Sequence, residues 1–151
     1  MPNPTIRRAT EADLPIIGKF LLAESMPLFD YEQYLDTFWV LDADAEVTGC
    51  IGLEIYGASA LLRSIVVSPA TRGTGDGHKL TSHWLDEARS RDACTAYLFT
   101  MDKAPFFSRY GFERCEMDDF DADARRTTQY TALQQAPAEF VKLITPMRLT
   151  L

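Results

Sequence analysis

Leu62-Arg-Ser-Ile-Val-Val-Ser-Pro69, Ala70-Thr-Arg-Gly-Thr-Gly-Asp-Gly77, His78-Lys-Leu-Thr-Ser-His-Trp-Leu85: strand, glycine-rich loop and helix follow one another here, and the chain is organised around them. The first segment is apolar and β-branched, and Pro69 ends it as a strand. Gly73, Gly75 and Gly77 let the backbone approach a ligand with no Cβ in the way. From His78 the period changes, and Leu80, Trp84, Leu85 and Ala88 fall on one helical face. A helix opening on such a loop presents unpaired N–H groups and roughly half a positive charge. That arrangement suits an anion, and above all a phosphate or pyrophosphate.

Two phosphate-binding loops can be set aside by spacing. A P-loop needs Gly-Lys-Ser/Thr at its end, and Gly77 is followed here by His78-Lys79-Leu80. A dinucleotide fingerprint follows the first strand and is answered by an acid about 20 residues on. This loop instead lies mid-chain, after four expected strands. The pattern that fits is Arg/Gln-x-x-Gly-x-Gly/Ala, filled by Arg72, Gly75 and Gly77 behind the strand Leu62–Val67.

That pattern resembles the acetyl-CoA-binding motif of the GNAT-type N-acetyltransferases. The resemblance implies that Arg72, Gly73, Thr74, Gly75, Asp76, Gly77 and His78 hold the coenzyme pyrophosphate. It also implies that main-chain groups of Ile65, Val66 and Val67 hold the pantetheine arm and the acetyl carbonyl. Asp76 departs from the family, which commonly has an apolar residue there. A carboxylate beside a pyrophosphate is unfavourable, and it costs little only if it points into solvent.

Lys103-Ala-Pro-Phe-Phe-Ser-Arg-Tyr-Gly-Phe112 carries a second likeness, to the family's Ala-x-x-Phe-Tyr-x-x-x-Gly-Phe helix and turn. Gly111 would take the left-handed cap at the helix end. The family's tyrosine, often the acid that protonates the departing thiolate, maps onto Phe107, which has no ionisable group. The opening phrase, Thr5–Ala9 as a strand and Thr10 as an N-cap answered by Asp13, extends the likeness. Leu61-Leu62-Arg63-Ser64, Phe106-Phe107 with Gly111-Phe112, and Thr127–Tyr130 also look like acetyltransferases of arsenic-resistance operons. Gln135-Ala136-Pro137 stands where that branch has Cys-Pro.

Along the chain, Ile16, Ile17, Phe20 and Leu21 make the first helical face, which Met26-Pro27 breaks. Tyr31–Thr37 reads as a second short helix, in a segment with Phe29, Tyr31 and Tyr34 where the family places one wall of the acceptor pocket. Phe38–Leu41, Gly49–Tyr56 and the strand into Val67 form a meander, with Asp42–Thr48 as a polar turn. The passage from strand four through the helix 75–91 to strand five at Ala96–Thr100 requires a crossover, so these two strands are parallel. Residues 118–126 read as a charged loop or short helix, and Phe140–Leu149 as a last strand, irregular around Pro146. The expected fold is a GNAT-like α/β (α+β) arrangement. Its mixed, mostly antiparallel sheet has six to seven strands, with helices on both faces, in a single domain over residues 1–151.

A chain of 151 residues with 46% hydrophobic and 25% charged residues supports a core without metal or disulfide staples. Cys50, Cys94 and Cys115 are odd in number and lack ligand spacing, which reads as reduced, buried cysteines of a cytoplasmic protein. No apolar run is long enough to span a bilayer, and residues 1–25 lack the sections of a signal peptide. A net charge of −7 and a pI near 4.8 argue against nucleic acid and anionic membranes as partners.

Acetyl transfer needs a neutral amine, close approach to the thioester and stabilisation of charge on the carbonyl oxygen. Glu54 and Glu24 are the candidate bases, each expected on the surface. Ser108 is the candidate acid, with Tyr110 or a water as alternatives. Arg63 could bind a carboxylate or phosphonate of the acceptor, and strand alternation would send Arg63 and Ser64 to opposite faces. Tyr31 would line the acceptor wall. His78 and His83 lack metal-like partners, and no metal site is expected.

The first functional reading is an acetyl-CoA-dependent N-acetyltransferase acting on a small amine, with amino-acid-like compounds among the candidates. The other is a non-catalytic acyl-CoA-binding sensor or partner-binding module of the same fold, favoured by Phe107 and Asp76. Many relatives pair through their C-terminal strands, which leaves a homodimer open.

Overall fold

The computed structural model describes residues 3–24, 26, 28 and 30–151; Pro27 and Phe29 lie outside them. Among the described residues seven strands are hydrogen-bonded in the order β1-β2-β3-β4-β5-β7-β6. They are β1 Thr5–Arg8, β2 Phe38–Ala43, β3 Glu46–Tyr56, β4 Ser59–Val67, β5 Thr95–Thr100, β6 Glu113–Arg114 and β7 Thr145–Thr150. β4 and β5 run parallel, Ser59 to Leu62 against Thr95 to Leu98, as the crossover requires. The pairs β1/β2, β2/β3, β5/β7 and β6/β7 are antiparallel. The chain forms two compact units, residues 1–53 with 63–87 and residues 54–62 with 88–151.

In the first unit, the polar turn between β2 and β3 is shorter than expected from composition. Only Asp44 and Ala45 are outside the strands, both at positive φ (51° and 68°), as a two-residue hairpin turn demands. Asp42 accepts the Ala45 N–H at 2.8 Å, so polar residues on either side stay in the ladder. Helix α1, Leu14–Ala23, follows a 3₁₀ turn at Glu11–Asp13. Thr10 N–H donates to Asp13 at 2.7 Å, the reciprocal half of a capping box. Ile17 and Leu21 of α1 pack with Phe38, Val40, Cys50 and Val66. A Cβ on the neighbouring Gly49 would instead meet Leu80 of helix α2, Asp76–Ser90. Adjacent strand residues face opposite ways, so α1 and α2 cover opposite faces of this part of the sheet. Trp84 of α2 is fully buried and donates its indole N–H to the Gly52 carbonyl at 3.0 Å.

Arg7 ties β1 to this unit through Asp13, at 2.8 and 2.9 Å, and through Asp42 at 2.9 Å. The Arg7 guanidinium holds the buried Asp13 carboxyl down to about 2. The stabilisation is fully present above the ordinary carboxylate range, near pH 4, and is lost as pH falls through about 2. With Arg7 part-exposed it is worth about 1–2 kcal/mol. Asp13→Asn is expected to lose that much in urea unfolding at pH 6. The gap to wild type should close between pH 4 and 2.

In the second unit, helix α3 is Ala104–Ser108, and Gly111 at φ 95° turns the chain into β6. The last strand departs from its sequence reading: residues 138–141 are helical, and β7 starts only at Thr145. Pro137 sets the start of this helix, α5, Ala138–Val141. Before it comes a short helix with no sequence reading of its own, α4, Thr128–Gln134. Thr127 accepts the Tyr130 N–H at 3.3 Å as its N-cap, and Tyr130 is buried with Phe120 and Ala124 against Leu61 and Tyr97. Asp121 pins this layer by accepting from both Ser59 and Tyr97. Burial raises its affinity for a proton, but these hydrogen bonds and those from Ala124 and Asp123 leave it below the usual range.

Of the three cysteines Cys50 is buried and Cys115 half-buried, but Cys94 is exposed, because it follows the helix end rather than lying in a strand. Burial pushes the Cys50 thiol up to about 12. Among the described residues no helix is long and apolar enough to cross a membrane.

Candidate active site

The anion-binding loop is built in the first unit. β4 enters it through Ser68, whose N–H donates to Thr48 O at 2.8 Å, and Pro69–Thr71 forms a 3₁₀ turn. Arg72, Gly73, Thr74 and Gly75 are exposed, with Gly73 at φ 84° and Gly75 at φ 88°. A Cβ at either glycine would touch nothing within 4 Å. Backbone conformation, not crowding within the protein, therefore requires glycine there, and the space above the loop is free for a ligand. Thr74 holds the turn by donating to Thr71 O at 2.5 Å. The 15-residue helix α2 then starts at Asp76, with its free N–H groups at the loop. Open space, left-handed glycines and a long helix's N-terminus together fit a pyrophosphate.

Asp76 does not point into solvent; it is 7% exposed. It stands in the first turn of α2, where the positive end of the helix favours a carboxylate. Arg72 donates Nε to Val67 O at 3.3 Å and forms an ion pair with Glu24 at the end of α1. Gly77 is half-buried and His78 exposed. Ile65 and Val67 are half-buried, and Val66 packs into the α1 cluster.

Earlier in β4, Arg63 is 1% exposed. Its Nη2 donates to Leu28 O at 2.6 Å, and its guanidinium lies 5.4 Å from the Tyr34 ring centre and 5.7 Å from that of Phe38. Arg63 and Ser64 do not part to opposite faces. Ser64 sits at φ 60°, a left-handed conformation inside a strand, and that break in the pleat lets its hydroxyl accept from Arg63 Nε at 3.1 Å. Tyr31 is buried, its hydroxyl donating to Leu14 O at 3.0 Å. It thereby fixes the segment after α1 to the helix itself.

Gly52 was absent from the sequence reading of the site. A Cβ there would stand 2.6 Å from the Phe38 ring and 3.0 Å from Arg63, so only glycine leaves room for this stack. Glycine inside an apolar strand, here at both Gly49 and Gly52, is the signal for such a close approach.

The other named residues belong to the second unit. Glu54 is fully buried, not on the surface, because its carboxylate meets the N-terminus of α4. It accepts the Thr128 N–H at 2.8 Å and the Thr128 hydroxyl at 2.5 Å. Ser108 is exposed at the last residue of α3. Phe107, at the tyrosine position, is 3% exposed and packs edge-on against Phe106 and Phe112, at 5.1 and 6.0 Å. Tyr110 lies against Phe106 at 5.6 Å. A groove of about 420 Å³ lined by Thr95, Tyr97, Gly111, Glu113 and Arg148 contains none of the expected site residues. Among the described residues no group of His, Cys, Asp and Glu is arranged to hold a metal.

Comparison with known proteins agrees with this geometry. The profile of the acetyltransferase (GNAT) domain matches residues 35–114, from just before β2 to the end of β6. The chain is 31% identical to the amino-acid acetyltransferase of Mycobacterium tuberculosis over 126 residues, 76% of this chain and 71% of that one. Among solved structures, a Mycobacterium tuberculosis protein in complex with CoA and NLQ superposes with a TM-score of 0.77 at 22% identity. It covers 98% of this chain and 99% of its own. N-acetylglutamate synthase from Neisseria gonorrhoeae, complexed with coenzyme A and N-acetyl-glutamate, gives a TM-score of 0.81 at 19% identity. That match takes in 98% of this chain but only 35% of the synthase.

Proposed function

The chain belongs to the GNAT acetyltransferase family and is an acetyl-CoA-dependent N-acetyltransferase, and on that premise we propose that its acceptor is the α-amine of a free amino acid. Arg63 carries this reading. Its Nη2 donates to the Leu28 carbonyl at 2.6 Å and its guanidinium lies beside the Tyr34 and Phe38 rings, which fixes this cation in the acceptor-side segment. An acceptor carboxylate would replace that carbonyl with a stronger, charge-assisted partner. The similarity to an amino-acid acetyltransferase supports the same substrate class.

The coenzyme supplies the activated acetyl group as a thioester. Arg72, the amides of Gly73, Thr74, Gly75, Gly77 and His78, and the first turn of α2 at Asp76 would hold its phosphates. The main chain of Ile65, Val66 and Val67 would hold its arm. Tyr31 and Arg63 shape the acceptor side through their hold on the segment between α1 and β2. Glu54 enters as base through Thr128: Thr128 Oγ1 takes the proton leaving the amine nitrogen while its own hydroxyl proton passes to the Glu54 carboxylate across 2.5 Å. Ser108, exposed at the end of α3, is assigned as the acid, since Phe107 cannot donate a proton. A cytoplasmic setting and pairing of two copies complete the proposal; light scattering of the purified protein tests the pairing.

The test is thiol release from acetyl-CoA across L-amino acids and their decarboxylated amines. Amino acids are expected to react with kcat/KM at least about 100-fold above the matching amines, the scale of a lost buried charge pair. Equal rates for the two sets would remove Arg63 from acceptor recognition.

A further inference from the structure

Glu24 stands where a carboxylate is least welcome. It is the C-cap residue of α1, its N–H donating to Phe20 O at 3.2 Å, so its negative charge adds to the negative end of the helix. What compensates it is the guanidinium of Arg72, from the anion-binding loop. Arg72 is also a residue that the coenzyme's phosphates would engage. One guanidinium thus faces two anionic claimants, and a phosphate with its greater charge has the advantage.

We infer that Glu24 is a placeholder for phosphate, and that coenzyme binding displaces it from Arg72 and loosens the last turn of α1. The inference rests on the coenzyme reading of the loop. With Arg72 taken, Glu24 is left uncompensated against the helix dipole. The bonds that close this turn, Glu24 N–H to Phe20 O and Met26 N–H to Leu21 O at 2.8 Å, then lose part of their support. Leu28, the carbonyl partner of Arg63, lies two residues further on. Coenzyme binding would therefore be felt next to the acceptor-side segment.

Glu24→Gln removes the competing charge and keeps the side chain's shape. The pair is half-exposed, 53% for Arg72 and 37% for Glu24. Its loss should tighten acetyl-CoA binding by about 2- to 5-fold in titration calorimetry, the range of exposed ion pairs. Hydrogen exchange on the full chain supplies the second reading. In wild type, acetyl-CoA should speed exchange at the Glu24 and Met26 amides about 3-fold or more, and in Glu24→Gln it should not. Saturable binding of equal or weaker affinity in Glu24→Gln overturns the placeholder, as does slower exchange at those amides in wild type. No saturable binding by either protein removes the coenzyme reading itself, and the placeholder with it.

Discussion

Gly75→Glu is expected to lower acetyl-CoA affinity by two to three orders of magnitude, while the urea midpoint of unfolding barely changes. Gly75 is exposed, and a Cβ there meets no protein atom within 4 Å, so the folded chain loses no packing. What changes is the loop. At φ 88° a side chain is strained by about 1–3 kcal/mol, and the loop amides would turn away from their common focus to relieve it. The new carboxylate would also stand beside the phosphates, a repulsion of up to about 4 kcal/mol at close range in a part-solvated site. Together these correspond to a loss of 100-fold or more. Gly73→Glu shares the left-handed backbone and the open surroundings, so it should weaken binding as well. Calorimetric titration of both variants with acetyl-CoA decides the matter. An unchanged affinity in Gly75→Glu would mean that the loop is only a turn.

The part of the chain that could be read in advance is the part where local chemistry and function impose the same pattern. Between Leu62 and Leu85 the strand, the left-handed glycines and the helix period each carry their own signal. There the expected helix start missed α2 by a single residue. Sequence misled where a polar residue is satisfied by a partner distant along the chain. Glu54 looks like a surface carboxylate until Thr128, 74 residues later, supplies two donors to it. Asp76 looks like an electrostatic defect until the helix it opens supplies a positive end to offset its charge. Residues 118–126 read as a charged loop or short helix because the residues that bury them, Phe120 and Ala124, stand alone among charges, and the helix after them, with Tyr130 and Leu133, is too short to show its period. The break at Ser64 has no local signature at all. It accompanies the approach of Arg63 to rings contributed by Tyr34 and Phe38, which no window of neighbouring residues contains.

Glu54 gives the sharpest separation between a chemical and a structural role. Glu54→Ala should cost about 3 kcal/mol or more in stability, because it strands the Thr128 N–H and hydroxyl and leaves a void in a fully buried place. Such a loss reports only on anchoring of α4. Glu54→Gln is the informative change. Its amide oxygen can still accept the Thr128 N–H, and the Thr128 hydroxyl can rotate to accept from the amide nitrogen. Unfolding should then move by no more than about 1 kcal/mol. The glutamine has no place for a proton, however, so a relay through Thr128 stops. On the proposed role kcat falls about 100- to 1,000-fold with KM little changed, the usual worth of a general base. Thr128→Val should reproduce the loss in kcat, and Thr128→Ser, which keeps the hydroxyl, should restore most of the rate. A Glu54→Gln protein with full turnover and a normal unfolding curve would assign Glu54 to holding α4 alone, and the amine would then lose its proton to solvent.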